Sequence, residues 1–189
     1  MKKTLLSAVL ASTFVAAIAP AAAFASDGTI TFTGNIVANT CTIKNIGGDD
    51  PNAKDFTVLL PNVQNTGLST ANVKAGATNF SLVLGGPGQT GCVDNKTAYV
   101  YWEPSSPQIN PTTGGLKNTG TATNVEVVLM NRATGAEINL NQSTGPANPT
   151  AVITGNTAQL DFQAAYKAIG GAATAGTVNT NVTYTVAYN

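Results

Sequence analysis

The clearest pattern in the chain is a strict alternation close to its C-terminus. Val182, Tyr184, Val186 and Tyr188 are separated by Thr183, Thr185 and Ala187, so the bulky side chains share one face. That period of two, carried by β-branched and aromatic types, predicts a strand over 181–188 with one face on a core. The alternation continues to the penultimate residue, where most domains fray in polar residues, and no turn into a partner strand follows. A sheet closed from within usually does not end this way. The expectation is a neighbour strand supplied from elsewhere.

Short apolar or alternating segments bounded by Gly, Pro, Asn and Asp recur along the chain. They predict strands at 29–37, 40–46, 56–60, 79–84, 97–103, 125–130, 137–140, 158–166 and 181–188. Only 68–75 suggests a helical turn or two. Many short strands with Gly- and Pro-rich connections point to one all-β domain, a sandwich of immunoglobulin-like type. The Pro/Gly-rich stretch 103–123 receives no role. Near the other end, Gly28, Ile30, Phe32, Gly34 and Ile36 share one face of an extended segment, which suits an edge strand of its own domain as well as an intermolecular role. Gly34 is a poor strand-interior residue, and such a glycine often marks a close approach by another backbone or a bulky side chain.

The first residues lie outside this pattern. Lys2 and Lys3 precede an apolar run from Leu5 to Ile18, and Ala23-Phe24-Ala25 supplies a small-x-small cleavage site. This predicts a secretory signal peptide over 1–25, too short to span a membrane. The mature chain then has 189 − 25 = 164 residues, enough for one domain with a real core.

Charge narrows the function classes. Without Lys2 and Lys3 the chain has 9 − 2 = 7 basic and 9 acidic residues, a net charge near −2, with no basic run. A nucleic-acid partner is not expected. Only 10% of residues are charged, well below the roughly 25–35% common on soluble surfaces, which suits equally a surface covered in an assembly and an ordinary secreted β-protein rich in Thr, Asn, Ala and Gly. Cys41 and Cys92 are the only cysteines, and in an exported chain they predict one disulfide. With roughly 50 residues enclosed, the chain-entropy model assigns that link ~4 kcal/mol.

Catalysis has little support. The absence of histidine removes the commonest general base and metal ligand, the serines sit in no nucleophile motif, and the acidic residues are scattered. Asp49, Asp50 and Asp55 lack the ligand spacing of a calcium hand. No catalytic residue, metal site or cofactor is expected. Trp102 with Tyr99 and Tyr101 suggests a carbohydrate-stacking patch, so a self-contained secreted β-sandwich carbohydrate-binding module is the alternative reading. Against it, alternate members of this strand are expected to pack inside the sandwich.

Taken together, several features resemble a known family. They are the signal peptide, Phe32-x-Gly34-x-Ile36 shortly before Cys41, the second cysteine, and the closing Tyr184-x-Val186-x-Tyr188-Asn189. With Asn189 counted as −1, Gly176 falls at −14, and Leu160 to Tyr166 is similar to the family's last-but-one strand. The combination resembles chaperone–usher fimbrial subunits of the type 1 pilin class, over essentially the whole mature chain. One departure is an apparent insertion, Gly85 through Gly91, between the Phe80-x-Leu82-x-Leu84 strand and Cys92.

The resemblance implies an incomplete immunoglobulin-like sandwich lacking its final strand, completed by a donor strand from another subunit. It divides the chain into signal peptide 1–25, donor-strand extension 26–38 and pilin domain 39–189. Ile30, Phe32, Gly34 and Ile36 become the donor face, and Val182, Tyr184, Val186 and Tyr188 the acceptor and chaperone-binding strand. The implied partners are other pilin subunits in a head-to-tail homopolymer, a periplasmic chaperone and an outer-membrane usher. The implied destination is a cell-surface fimbrium used in adhesion. Donor-strand complementation is a known mode of strand addition, and a non-closing contact of this kind builds filaments. A bulk shaft subunit fits better than a minor one, because the donor arm looks intact.

Overall fold

The computed structural model describes Thr31, Thr33 and residues 41–189. The chain divides into two units, Met1–Ile36 and Val37–Asn189, and the architecture that follows is that of the second. Among the described residues it has eight strands and one short 3-10 turn. The strands are β1 (Ile43–Ile46), β2 (Lys74–Gly85), β3 (Thr97–Trp102), β4 (Leu116–Lys117), β5 (Val125–Asn131), β6 (Thr150–Val152), β7 (Thr157–Ala168) and β8 (Tyr184–Tyr188). One sheet has the order β1-β2-β7-β5-β4 and the other β6-β3-β8. Every pairing is antiparallel.

Alternation decides which side chains meet between the sheets. Phe80, Leu82 and Leu84 of β2, Leu160 and Phe162 of β7, and Val127 and Leu129 of β5 share one buried cluster with Ala98, Val100 and Trp102 of β3. Phe80 sits directly opposite Phe162 in the β2–β7 register, and their rings stack at 5.2 Å. Trp102 meets Phe162 edge-on at 5.7 Å, a geometry favoured by the ring quadrupoles. Its buried indole Nε1 donates to Asn148 Oδ1 at 2.7 Å, so the one polar atom of the side chain is satisfied.

Several expected elements take another form. Residues 56–60 keep their alternation, with Phe56, Val58 and Leu60 half-buried and Thr57 and Leu59 exposed, yet they belong to no strand. Alternation reports which way side chains point, whereas a ladder also needs a neighbouring backbone. The segment 137–140 is reduced to a single bridge, Glu137 to Met130, although Ile138 and Leu140 are buried in the core. At 68–75 there is no helix: a 3-10 turn covers Asn65–Leu68, and β2 already begins at Lys74. The strand expected at 40–46 is shorter, as β1 starts at Ile43.

Cys41 and Cys92 are joined, tying the approach to β1 to the turn before β3. The inserted stretch after β2 is accommodated by Gly85, whose φ is +71°. A Cβ at that position would lie 2.6 Å from Cys92 Sγ and collide with the Asn156 carbonyl, so the disulfide and the turn pack over it only because it is glycine. The unassigned stretch 103–123 also has a place. Ile109 bridges Leu116 and both are buried in the core. Thr113 Oγ1 donates to the fully buried Glu126 carboxylate at 2.6 Å, pinning the loop to β5.

Candidate functional site

The expected acceptor residues gather on one strand edge. Tyr184, Val186 and Tyr188 lie on β8, with Val182 just before it, and all four pack against the main core cluster. All four therefore face the opposite sheet. None is fully covered, since each remains half-buried. Their cross-strand neighbours contrast with them: Val100 opposite Val186 and Ala98 opposite Tyr188 are 0% exposed, and Trp102 opposite Tyr184 is 2% exposed.

Backbone bonds hold β8 along one side. Five register pairs join it to β3, from Trp102–Tyr184 to Ala98–Tyr188. Beyond them, Asn189 and Thr97 exchange N–H···O bonds at 3.0 and 3.1 Å, and Glu103 N donates to Thr183 O at 3.1 Å. Among the described residues β8 pairs with no other strand.

A side chain, not a ladder, links β8 to the segment that contains 56–60. Tyr184 Oη donates to the Lys54 carbonyl at 2.7 Å. Burial pushes the Tyr184 phenol above its ordinary pKa, and the nearby Asp55 carboxylate adds to the rise. Burial raises Tyr188 in the same way. Tyr184 thus ties β8 to Lys54, just before 56–60, and these two segments, whose inward side chains pack on one core, share no ladder. An open depression of about 430 Å³ lies beside Lys54, lined by Cys41, Thr42, Ile43, Lys44 and Asn52.

The remaining expected residues separate into two groups. Gly176 lies in the β7–β8 connection, where a Cβ would strike the backbone of Thr121 and Ala122. That close approach needs glycine at this place. The donor-face residues Ile30, Phe32, Gly34 and Ile36 lie outside the described residues. Of the expected arm, Thr31 and Thr33 are described, and both are exposed.

The aromatic patch of the alternative reading does not assemble. Trp102 is buried against Asn148 and Phe162, while Tyr101, its neighbour in the strand, points to the other face and is 37% exposed. Period two separates the two rings, so no platform containing the indole faces solvent. Sequence reasoning passed over Asn148, whose Nδ2 also donates to Val100 O at 3.2 Å; a lone loop asparagine carries no signal of such a role.

Similarity to known proteins places the chain in a family. A family model described as "Fimbrial protein" matches residues 30–189. The major fimbrial subunit SMF-1 of Stenotrophomonas maltophilia (strain K279a) is 39% identical over 184 residues, covering 92% of this chain and 99% of its own. The F17 fimbrial protein of Escherichia coli is 33% identical over 177 residues, covering 92% of this chain and 94% of its own. A type-1 fimbrial protein A chain of Escherichia coli is 32% identical over 163 residues, with coverages of 85% and 82%. The fold is an incomplete immunoglobulin-like sandwich, and the molecule is a structural subunit of a surface fimbrium. The chain belongs to the fimbrial protein family, in its chaperone–usher class.

Proposed function

We propose that the subunit polymerises by donor-strand exchange, with β8 and the segment 56–60 as the two walls of the acceptor site. The observation that carries this reading is the unequal cover of adjacent strands: β3 is sealed, and the inward face of β8 is only half-buried. A strand laid along β8 would gain main-chain hydrogen bonds, and its alternate side chains would enter the core beside Val182, Tyr184, Val186 and Tyr188. Ile30, Phe32 and Ile36 of another copy have the right period and character, each contributing ~1.5–3 kcal/mol if fully buried. Gly34 is the donor position that must pass a crowded point of the acceptor.

In this reading residues 1–25 direct export, 26–38 form the donor arm and 39–189 the pilin domain. A periplasmic chaperone occupies β8 first, because an open apolar edge invites aggregation. An outer-membrane usher then exchanges the chaperone strand for the next subunit's arm. Each copy gives one strand and receives one, so the contact does not close and a head-to-tail filament grows. The role is structural and non-catalytic, and it serves adhesion.

The test uses the exported subunit and a synthetic peptide of residues 28–37. A rise in melting temperature of ten degrees or more with excess peptide is expected, and none with the peptide carrying Gly34→Arg. An exported subunit whose melting temperature ignores the wild-type peptide would sink the acceptor assignment.

A further inference from the structure

The connection 169–183 between β7 and β8 is long (183 − 168 = 15 residues) and has no strand or helix of its own. Connections of that length are uncommon in compact domains unless something organises them. Here it is stitched to the segment 118–124. Thr119 N donates to Asn179 O at 2.8 Å, Ala122 N to Thr177 O at 3.1 Å and Thr174 N to Thr123 O at 3.1 Å. Side chains add the rest. Thr177 N donates to Thr121 Oγ1 at 2.9 Å while Thr121 N donates to Thr177 Oγ1 at 3.0 Å, a reciprocal pair.

Asn118 is the centre of this clasp. Its Nδ2 donates to Ala122 O at 2.8 Å and to Thr177 O at 3.1 Å. Its Oδ1 accepts from Gly120 N and Asn179 N, both at 2.8 Å. A carboxamide offers two donors and an oxygen with two lone pairs, and this one uses them all. Gly120 and Gly176 let the two backbones meet: a Cβ on the first would strike the Thr177 carbonyl, and one on the second the Ala122 backbone. Immediately after Thr177, Val178 packs against both the main core and a second apolar cluster around Leu68 and Val125.

The clasp matters because β8 has one described ladder partner, and a strand held on one side is free to fray. Binding costs less when the receiving backbone is already ordered. We infer that Asn118 is a positioning residue for strand uptake: it locks 177–179 so that β8 stands extended and in register before a donor strand arrives. This rests on the reading of β8 as the acceptor. It adds a determinant outside the interface, since Asn118 is on neither wall of the site.

The experiment follows uptake of the 28–37 peptide by the exported subunit, together with amide exchange at Tyr184–Tyr188. Wild type is compared with Asn118→Ala, with the milder Thr121→Val, and with Thr113→Ala. The last removes a loop hydrogen bond to Glu126 of the other sheet and one accepted from Gly115, and it serves as a stability control. Asn118→Ala is expected to slow uptake at least tenfold and to speed exchange across β8. Thr121→Val should slow uptake about threefold, and Thr113→Ala should leave it unchanged. If wild type takes up the peptide and Asn118→Ala does so at the Thr113→Ala rate, the inference is overturned. Should Asn118→Ala fail to fold, Thr121→Val at the control rate overturns it equally. Wild type that ignores the peptide overturns the acceptor reading itself, a distinct result.

Discussion

β3 and β8 lie side by side in one sheet and have the same alternating plan, but only β3 is sealed. Its inward residues Ala98, Val100 and Trp102 lie between β6 and β8 and beneath the aromatic cluster of the other sheet. The inward residues of β8 touch the same core and stay half-buried. Equal hydrophobic pattern therefore does not mean equal burial. A strand needs a neighbour on each side before its side chains are covered, and in β8 the second described neighbour is absent from the ladder. The strand with the clearest alternation in the sequence thus keeps an inward face only half-covered in the fold, and that mismatch carries the functional reading.

The contrast can be broken most easily at its sealed side. Trp102→Ala should cost about 3–5 kcal/mol in a urea titration, because it empties a site bounded by Phe162 and leaves Asn148 without its indole partner. A loss below about 1 kcal/mol would mean that β3 is not the fixed wall described here. Val186→Ala probes the other side. It should cost about 1 kcal/mol in the free subunit, where the residue is half-buried, and roughly twice that with the 28–37 peptide bound. Equal costs in both states would show that no strand covers Val186.

A smaller effect separates the two sheets by pH. Burial of the Glu137 carboxyl works to raise its pKa, but hydrogen bonds from Lys167 and Lys74, each at 2.8 Å, outweigh it and leave the value lowered. Asp161 is lowered chiefly by the Ser81 hydroxyl and then by Gln159. Both groups bind protons less readily folded than unfolded. Their contribution is fully present above the unfolded carboxylate range, about pH 4, and is lost as pH falls through the lower folded values. Urea midpoints should be flat from neutral pH to about pH 5 and fall below pH 4. Glu137→Gln should shallow that fall while leaving peptide uptake at neutral pH unchanged. An acid limb identical to wild type would remove Glu137 from the account.

Much of this fold was legible in the residues because bulky alternation announces itself. β3, β5, β7 and β8 all carry Val, Leu, Tyr or Phe at period two. The two-residue β4 and three-residue β6 are too short to show any period. The first part of β2 was not legible: Lys74 and Ala75 fall in the stretch expected as a helical turn, and Gly76 to Thr78 carry no bulky period and lie at a bulge between Ala75 and Thr78. At 56–60 the facing was right and the ladder was not, since side-chain pattern is blind to the backbone alongside. The clasp was the least legible feature. Thr, Asn and Gly over 118–124 and 172–179 are the composition of any solvated turn, and nothing in their order announces that they will bond to one another. Gly176 stood out only through its distance from the C-terminus, and its physical reason, the Ala122 backbone beside it, appears only in three dimensions.

The chemistry of that clasp has an environmental consequence. Asn118, Thr121, Thr123, Thr174 and Thr177 are all uncharged, so no part of it titrates or is screened by counterions. Amide exchange at Tyr184–Tyr188 should therefore be the same in dilute buffer and in 1 M salt, once intrinsic rates are corrected. A strong salt dependence would mean that ion pairs hold the strand after all. Screening lengths run from about 30 Å in 0.01 M salt to about 3 Å in 1 M salt. A joint organised by neutral hydroxyls and amides would keep its shape across that range.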